Sequence, residues 1–228
     1  SSFSYASEEA VFAGGWPYSV PPTGHYNMFV SNSIDVKFFR DLHQLPMAFY
    51  IWADNAFEGY LAEKWSVDLE NDVFEVHLRP NVHWLNGDDF GSKDVWTTFM
   101  IHRLLGSPVW DYLSNVEIVN DAVIRFHMKS PSSLIQRMIL RENIVDYATY
   151  GTLADRLAHI IENGEERGSS SWSELSADFN QFRPTFVNAT GPYYLDPDKV
   201  YASRLELWKN ENSYLADVVK FDKVYVYN

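Results

Sequence analysis

The chain has 228 residues, of which 46% are hydrophobic and 16% aromatic, enough apolar material for the core of one or two globular domains. Its 18 basic and 31 acidic side chains give a net charge of −13, which argues against binding to nucleic acid or to an anionic membrane through a basic surface. The absence of cysteine excludes disulfides and thiolate metal sites.

The first elements are a strand and a long loop. A strand is expected around residues 10–13, and a segment rich in glycine and proline follows it as far as Gly24. Two aromatic side chains, Trp16 and Tyr18, lie in this segment. The aromatic stretch 38–52 predicts either a helix or a pair of strands.

A strand, a turn and a helix follow each other in the next region. Residues 73–79 alternate with a period of two, which predicts a strand with Phe74, Val76 and Leu78 on its buried face. The pair Asn86-Gly87 marks a tight turn. Ser92 is expected to be the N-cap of a helix whose apolar side chains form one buried face. That face comprises Val95, Trp96, Phe99, Met100 and Leu104.

The second half of the chain predicts helices before strands. Residues 149–162 have the helical period and end near Asn163-Gly164, residues 165–171 indicate a surface loop, and a short helix is expected over 172–182. Strands are expected at 203–208 and 223–227. No internal repeat of 20 to 50 residues is visible, and no apolar run approaches the ~18 residues that span a bilayer.

One segment carries a family signature. The stretch HLRPNVHWLNGDDFGSKDVW (residues 77–96) closely resembles a conserved block of the family 5 extracellular solute-binding proteins, the oligopeptide, dipeptide and related receptors of ABC importers. The strand, turn and helix described above account for this block as scaffold. Nothing in it is catalytic.

Further segments resemble the same family, in the family's order. They are LAEKW (61–65), VEIVNDAVIRFHM (116–128), TGPYYL (190–195) and LELWKNENSYL (205–215). Together with residues 77–96 they make five matches in the family's order, which makes coincidence a poor explanation. The sequence departs from the family pattern at Asn210-Glu211-Asn212, which lacks the common Asn-Pro, and at Asn27-Met28-Phe29, where the family has Asp-Pro or Asn-Pro-Phe. These departures bear on loop shape.

The resemblance implies an α/β, periplasmic-binding-protein-like fold (type II, cluster C), here a lobe I fragment with a mixed sheet and a peripheral subdomain. Residues 1–34 and 185–228 are then the incomplete core sheet of lobe I, and residues 35–184 the inserted subdomain with its connecting helices. In the family, a strand like 221–227 leads into the second lobe, so lobe II is expected to be absent from this chain. Strand edges left open by truncation would favour association.

The resemblance also implies a function without a catalytic residue, a metal or a cofactor. The chain would be the substrate-binding component of an ABC importer that captures oligopeptides or oligosaccharides and delivers them to the transmembrane subunits of the permease. Its location would be extracellular, periplasmic or at the cell surface. It would reach the membrane only through a removed anchor or the permease, and a signal or lipoprotein peptide would precede Ser1.

Ligand contacts are expected where loops meet the cleft between lobes. The resemblance places Asn32, Ser33 and Ile34 on the lobe I side of the pocket, together with Val109 and Trp110. Trp16 and Tyr18 join them because exposed aromatic rings on a loop provide contact area. The aromatic opening is similar to the oligosaccharide-binding branch known from thermophiles, in which Trp and Tyr faces stack on sugar rings. Peptide-binding branches use main-chain hydrogen bonds, and both ligand classes stay open.

The sequence leaves two other classes of function open. A secreted carbohydrate-active hydrolase needs two convergent carboxylates, whereas Asp88-Asp89 and Glu8-Glu9 are sequence neighbours that point to opposite sides of an extended segment. The seven histidines form no cluster with ligand spacing, so no metal site is expected. A stand-alone interaction module would require the natural gene to stop near Asn228.

Overall fold

The computed structural model describes residues 9–15, 24–34, 40–201 and 204–227. Within these ranges the chain is a mixed α/β protein with two four-stranded sheets and a two-stranded hairpin. Its strands are β1 Val11–Gly15, β2 Ala48–Ile51, β3 Ala56–Gly59, β4 Ala62–Asp68, β5 Val73–Leu78, β6 Leu113–Asn120, β7 Val123–Met128, β8 Tyr193–Leu195, β9 Arg204–Lys209 and β10 Lys223–Tyr227. Its helices are α1 Arg40–His43, α2 Ser92–Leu105, α3 Val109–Tyr112, α4 Ile135–Leu140, α5 Tyr147–Glu162 and α6 Ser170–Gln181, with a 3₁₀ turn at Pro197–Lys199.

The first sheet joins the two ends of the chain in the order β1-β10-β9-β8. Strand β1 runs parallel to β10, with Val11 opposite Lys223, while the other two pairs are antiparallel. The predicted mixed sheet is therefore confirmed. One face of this sheet buries an apolar cluster, which includes Leu205, Leu207, Val226 and Ile34. Ile34 ties the loop that precedes α1 to this sheet.

The second sheet is antiparallel throughout, in the order β4-β5-β7-β6. Phe74, Val76 and Leu78 of β5 are buried, whereas the alternate residues are half-buried, as the period of two predicts. Helix α2 lies against this sheet, and the ring of Phe99 meets that of Phe126 edge to face at 4.7 Å. The strand and helix predicted from the signature segment are confirmed.

The start of α2 differs from the prediction that Ser92 is its N-cap. Gly91 occupies the N-cap position, and the Asp94 carboxylate accepts a hydrogen bond from the Gly91 amide at 2.9 Å. The Ser92 hydroxyl donates instead to the Asn120 carbonyl at 2.7 Å. The Ser92 hydroxyl is thus used by the Asn120 carbonyl, at the turn between β6 and β7, and does not cap the helix. The Asp94 carboxylate, in the first turn of α2, instead satisfies the Gly91 amide.

Helices α5 and α6 form a second layer against α2. Helix α5 begins after Asp146, whose carboxylate accepts a hydrogen bond from the Thr149 amide at 2.9 Å, so the helix starts two residues earlier than predicted. Helix α6 begins after Ser169, whose hydroxyl accepts from the Trp172 amide. The helices share an apolar cluster, which includes Leu104, Tyr150, Leu157, Leu175 and Phe179.

The stretch 38–52 contains both a short helix, α1, and a strand, β2. The first sheet uses strands from 11–15 and 193–227, while the division of the chain into lobe core and inserted subdomain stays a prediction. In the part of the chain that the structure describes, no helix is both long and apolar enough to cross a bilayer.

Candidate functional site

Residues 24–34 form a loop that folds back on itself. The His25 amide donates to the Asn32 carbonyl at 3.3 Å, and the Ile34 amide donates to the His25 carbonyl at 2.8 Å. Asn32, at the turn, adopts a left-handed conformation with φ of 67°, which asparagine tolerates better than most residues. The loop therefore has a defined shape, with Asn32 next to the point where its two ends pair.

Asn27 fastens this loop to the end of α6. Its side chain is fully buried, and the amide nitrogen Nδ2 donates to the carbonyls of Phe179 at 3.2 Å and Phe182 at 3.3 Å. Its Oδ1 accepts from the Phe29 amide at 3.2 Å. These carbonyls lie at the C-terminal end of α6, where the asparagine adds a donor to the two that already reach them, the Phe182 amide on the Phe179 carbonyl and the Arg183 guanidinium on the Phe182 carbonyl.

Phe29 is the second anchor of the loop. Its ring meets His102 and Tyr150 edge to face, with ring centres 5.8 and 5.5 Å apart, and lies 5.9 Å from the Phe179 ring. The Arg40 guanidinium lies 5.9 Å from its centre. Burial in this cluster raises the pKa of the Tyr150 hydroxyl, and the charge of Asp146 raises it further. Tyr150 thus stays neutral at any physiological pH.

A half-buried ion pair lies next to Phe29. His102 Nε2 of α2 is 3.2 Å from Glu142 Oε2, at the end of α4. Burial pushes the pKa of Glu142 upward, but the hydrogen bond from His102 and the charges of His102, Arg40 and Arg141 outweigh it, so the pKa lies below its ordinary value. The carboxylate is therefore charged at neutral pH and links α2 to α4 below the loop.

The three predicted contacts in this loop differ in exposure. Asn32 is exposed and Ser33 half-buried, whereas Ile34 is only 2% exposed and packs in the first sheet. Asn32 and Ser33 are thus the side chains that a ligand can reach. Trp16 and Tyr18 lie outside the described residues, so their roles stay predictions.

The other predicted contacts lie on α3. Val109 is 1% exposed and belongs to the core beneath the second sheet, whereas Trp110 is half-buried and donates from Nε1 to the Phe99 carbonyl at 2.8 Å. Trp110 lines a cleft of about 510 Å³, to which loop 24–34 contributes no lining residue. In the described residues, the two predicted segments therefore do not share one cavity. Their contact with a ligand stays a prediction.

Sequence reasoning missed the anchors of the loop, Asn27 and Phe29. They stand at the family position where Asn-Pro-Phe is common, which was the available signal. Their partners on α6 lie about 150 residues away in the sequence, and nothing local indicates them. Among the described residues, no group of three or more His, Asp or Glu side chains is arranged to hold a metal ion.

The mixed α/β fold described above is that of the family 5 solute-binding proteins. The sequence model of the bacterial extracellular solute-binding proteins, family 5 Middle, matches residues 56–227. The chain belongs to this family.

Solved structures show the same fold. A mannohexaose-bound oligopeptide ABC transporter, periplasmic oligopeptide-binding protein from Thermotoga maritima aligns with a TM-score of 0.71 at 20% identity, over 98% of this chain and 38% of that one. The substrate-binding domain of an oligopeptide ABC transporter from Bacillus anthracis aligns with a TM-score of 0.65 at 15% identity, over 97% and 42%. NikA from Brucella suis, in complex with Fe(III)-EDTA, aligns with a TM-score of 0.63 at 18% identity, over 96% and 39%.

The chain spans about two-fifths of the length of these structures. Among curated proteins, none shows detectable similarity to the chain.

Proposed function

We propose that this chain is the N-terminal lobe of the substrate-binding component of an ABC importer, which captures oligopeptides or oligosaccharides outside the membrane and delivers them to the permease. The observation that carries this proposal is the family match over residues 56–227. The alignment of 98% of the chain with a mannohexaose-bound binding protein supports it.

The proposed mechanism is capture without chemistry. Loop 24–34 forms one wall of the ligand site, with Asn32 and Ser33 as the accessible contacts. Its anchors at Asn27 and Phe29 hold the loop in one shape before ligand arrives, so little ordering entropy is lost on binding. The solved structures are more than twice as long as this chain, and the proposed second wall comes from a second lobe that closes over the ligand.

The ligand class within this proposal is an oligosaccharide or an oligopeptide. Two solved structures with this fold are named for oligopeptide transport, and one of these two is bound to mannohexaose. We place the oligosaccharide first, because the aromatic opening of this chain resembles the oligosaccharide-binding branch. Hydroxyl and amide groups such as those of Asn32 and Ser33 suit sugar hydroxyls and peptide main-chain groups equally.

The test is a ligand screen by thermal shift and calorimetry. Mannohexaose, cellohexaose and a pool of defined peptides are added to this chain and to the product of its complete natural reading frame. Binding of one class, weakened by the double variant Asn32→Ala, Ser33→Ala, supports the proposal. The matched control is Asn115→Ala, an exposed asparagine on β6, which leaves affinity unchanged. Saturable binding whose affinity is the same in the double variant and in the wild type would mean that the ligand site lies outside loop 24–34.

The same proteins also separate binding from catalysis. We expect no release of reducing ends from either oligosaccharide and no turnover of aryl glycosides. Hydrolytic activity that copurifies with the chain would favour the hydrolase alternative. A natural reading frame that stops at Asn228 would favour the stand-alone interaction module.

A further inference from the structure

The imidazole of His25 bridges the two sides of loop 24–34. Its Nε2 lies 3.0 Å from the Ser31 carbonyl oxygen, and its Nδ1 accepts a hydrogen bond from the Asn27 amide at 3.2 Å. One half-buried side chain therefore joins the anchored start of the loop to its far side, directly before the proposed ligand contact Asn32.

These two contacts fix which nitrogen of His25 carries the proton. A carbonyl oxygen can only accept a hydrogen bond and a backbone amide can only donate one, so Nε2 bears the hydrogen and Nδ1 presents its lone pair. The imidazole in this arrangement is neutral. A second proton at Nδ1 has no acceptor, because the Asn27 N–H points at the same atom and the two donors would oppose each other.

The Asn27 amide depends on this acceptor. Asn27 is fully buried, and its other polar groups have partners of their own: Nδ2 at the end of α6, Oδ1 at the Phe29 amide and the main-chain carbonyl at the Val30 amide. The acceptor of the amide itself is His25 Nδ1. Loss of this bond leaves a buried N–H unpaired beside the anchor that gives the loop its shape, which costs free energy.

The charges around the loop have both signs. Four described histidines lie within ion-pair distance of a carboxylate, namely His77, His83, His102 and His127. His25 is not one of them. The charged groups on the elements that pack against the loop are Arg40, His102, Glu142, Asp146, Asp196 and Asp198. Cations disfavour a charged imidazole and carboxylates favour one, so the hydrogen bonds within the loop select the neutral form.

We propose that His25 is a pH-sensitive positioning residue of the ligand loop, which holds the loop ready for ligand when neutral and releases it when protonated. This assignment rests on the proposed function, in which loop 24–34 forms a wall of the ligand site. A histidine side chain takes up its proton between about pH 8 and pH 5. In that interval the new proton displaces the Asn27 amide from Nδ1, and the segment with Asn32 and Ser33 loses a contact that fixes it. Ligand is therefore held more tightly at neutral pH than in acid.

The first test needs no ligand. Amide hydrogen exchange of the intact chain is measured at pH 7.5 and pH 5.0 and corrected for the intrinsic pH dependence of exchange. We expect protection of the Asn27 and Ile34 amides to fall about tenfold at pH 5.0, the effect of leaving one buried donor unpaired. His25→Gln has no titrating proton in the side chain, so its loop has equal protection at both pH values.

Two further variants separate His25 from other histidines. His83→Gln, at a half-buried histidine outside the loop, is the control and keeps the wild-type pH dependence. His102→Gln removes the histidine that contacts Phe29. Equal protection at both pH values in the wild type, a pH dependence that persists in His25→Gln, or one that disappears in His102→Gln would each overturn the assignment.

Imidazole ¹⁵N spectra of the wild type provide a check that does not depend on any variant. We expect the Nε2–H tautomer of His25 at pH 7.5, and a proton at Nδ1 over the same pH interval in which the Asn27 amide loses protection. An Nδ1–H tautomer at pH 7.5, or loss of protection while His25 stays neutral, would contradict the proposal.

The second test measures ligand affinity. Mannohexaose and the defined peptides are titrated by calorimetry into the product of the complete reading frame at both pH values. We expect affinity about tenfold weaker at pH 5.0 in the wild type and no such change in His25→Gln. Binding of neither ligand class at pH 7.5 would defeat the proposed function, while the exchange data would still report on His25. Equal affinity at both pH values in the wild type would leave the function standing and overturn the role of His25.

Discussion

The second sheet with α2 and the loop 24–34 are held in place by different kinds of contact. In the sheet, the buried side chains recur at the period of the strand or helix, as in Phe74 and Val76 of β5, which share a core with Phe99 of α2. The loop is held mainly by Asn27 and Phe29, whose partners on α2, on α5 and at the end of α6 lie more than 70 residues away. A scaffold can be specified by local pattern, whereas a binding loop is positioned by a few distant anchors.

The largest effect is expected in the scaffold. Phe99 is fully buried, and its ring packs against Phe126, so Phe99→Ala leaves a cavity between α2 and the second sheet. We expect the free energy of unfolding to fall by about 3–5 kcal/mol, measured by urea denaturation. Leu69→Ala, at a residue 49% exposed, is the control and stays within about 0.5 kcal/mol. Equal effects of the two would contradict the packing described for α2.

The next effect concerns Asp94, which joins α2 to both of its neighbours. Its carboxylate accepts from Trp84 Nε1 at 3.1 Å, from the Gly91 amide at 2.9 Å and from the Tyr147 amide at 2.7 Å. Burial raises the pKa of Asp94 to about 6, although these hydrogen bonds oppose the rise. Because the folded pKa lies above the unfolded value, its stabilising contribution is present below about pH 4 and is lost as the pH rises to about 6.

Asp94→Asn tests this sign. The wild type is expected to lose about 2 kcal/mol from this group between pH 4 and pH 6, and the variant is expected to lack that slope. Urea denaturation at pH 4, 5, 6 and 7 gives the difference. Asp88→Asn, an exposed neighbour, is the control and should follow the wild type. Parallel curves for Asp94→Asn and the wild type would show that the carboxylate is charged throughout.

The loop provides the third prediction. Asn27→Ala removes the two hydrogen bonds that this buried side chain donates to the end of α6, which costs about 1–3 kcal/mol. The place in the molecule where stability is lost is more informative than the size of the loss. Amide hydrogen exchange should rise at Val30 and Ile34, whose amides bond within the loop, and stay unchanged in β5. Increased exchange in β5 as well would mean that loop and scaffold unfold together.

The smallest effect belongs to the ion pair beneath the loop. Because the pKa of Glu142 is lowered on folding, its contribution is present above about pH 4.5 and is lost as the pH falls through the folded pKa. Glu142→Gln should destabilise the protein by less than about 1 kcal/mol at pH 7, since the pair is partly exposed to solvent. The difference from wild type, read from melting temperatures, should shrink at pH 3. A constant difference at both pH values would assign the effect to packing.

The contrast between local pattern in the scaffold and distant anchors of the loop also explains which features the sequence predicts. The alternation of 73–79 and the helical period of α2 and α5 depend on side chains that are neighbours in the element, so these elements were found. The N-cap of α2 was assigned to Ser92 because the competing acceptor, the Asn120 carbonyl, lies on another strand. The mixed first sheet was reached only through the family resemblance, since β1 and β10 lie more than 200 residues apart.

The candidate site was less accessible to sequence reasoning. Asn32 and Ser33 followed from resemblance, but the burial of Ile34 and Val109 depends on packing that no local pattern reports.

The most direct test of the central claim is calorimetric titration of mannohexaose and of a defined peptide pool into the product of the complete reading frame. Saturable binding of one of them, with affinity reduced by Asn27→Ala while amide hydrogen exchange in β5 stays unchanged, is the result that a positioned ligand loop predicts. A folded protein that binds neither ligand class, or one whose affinity is indifferent to Asn27, would contradict the account.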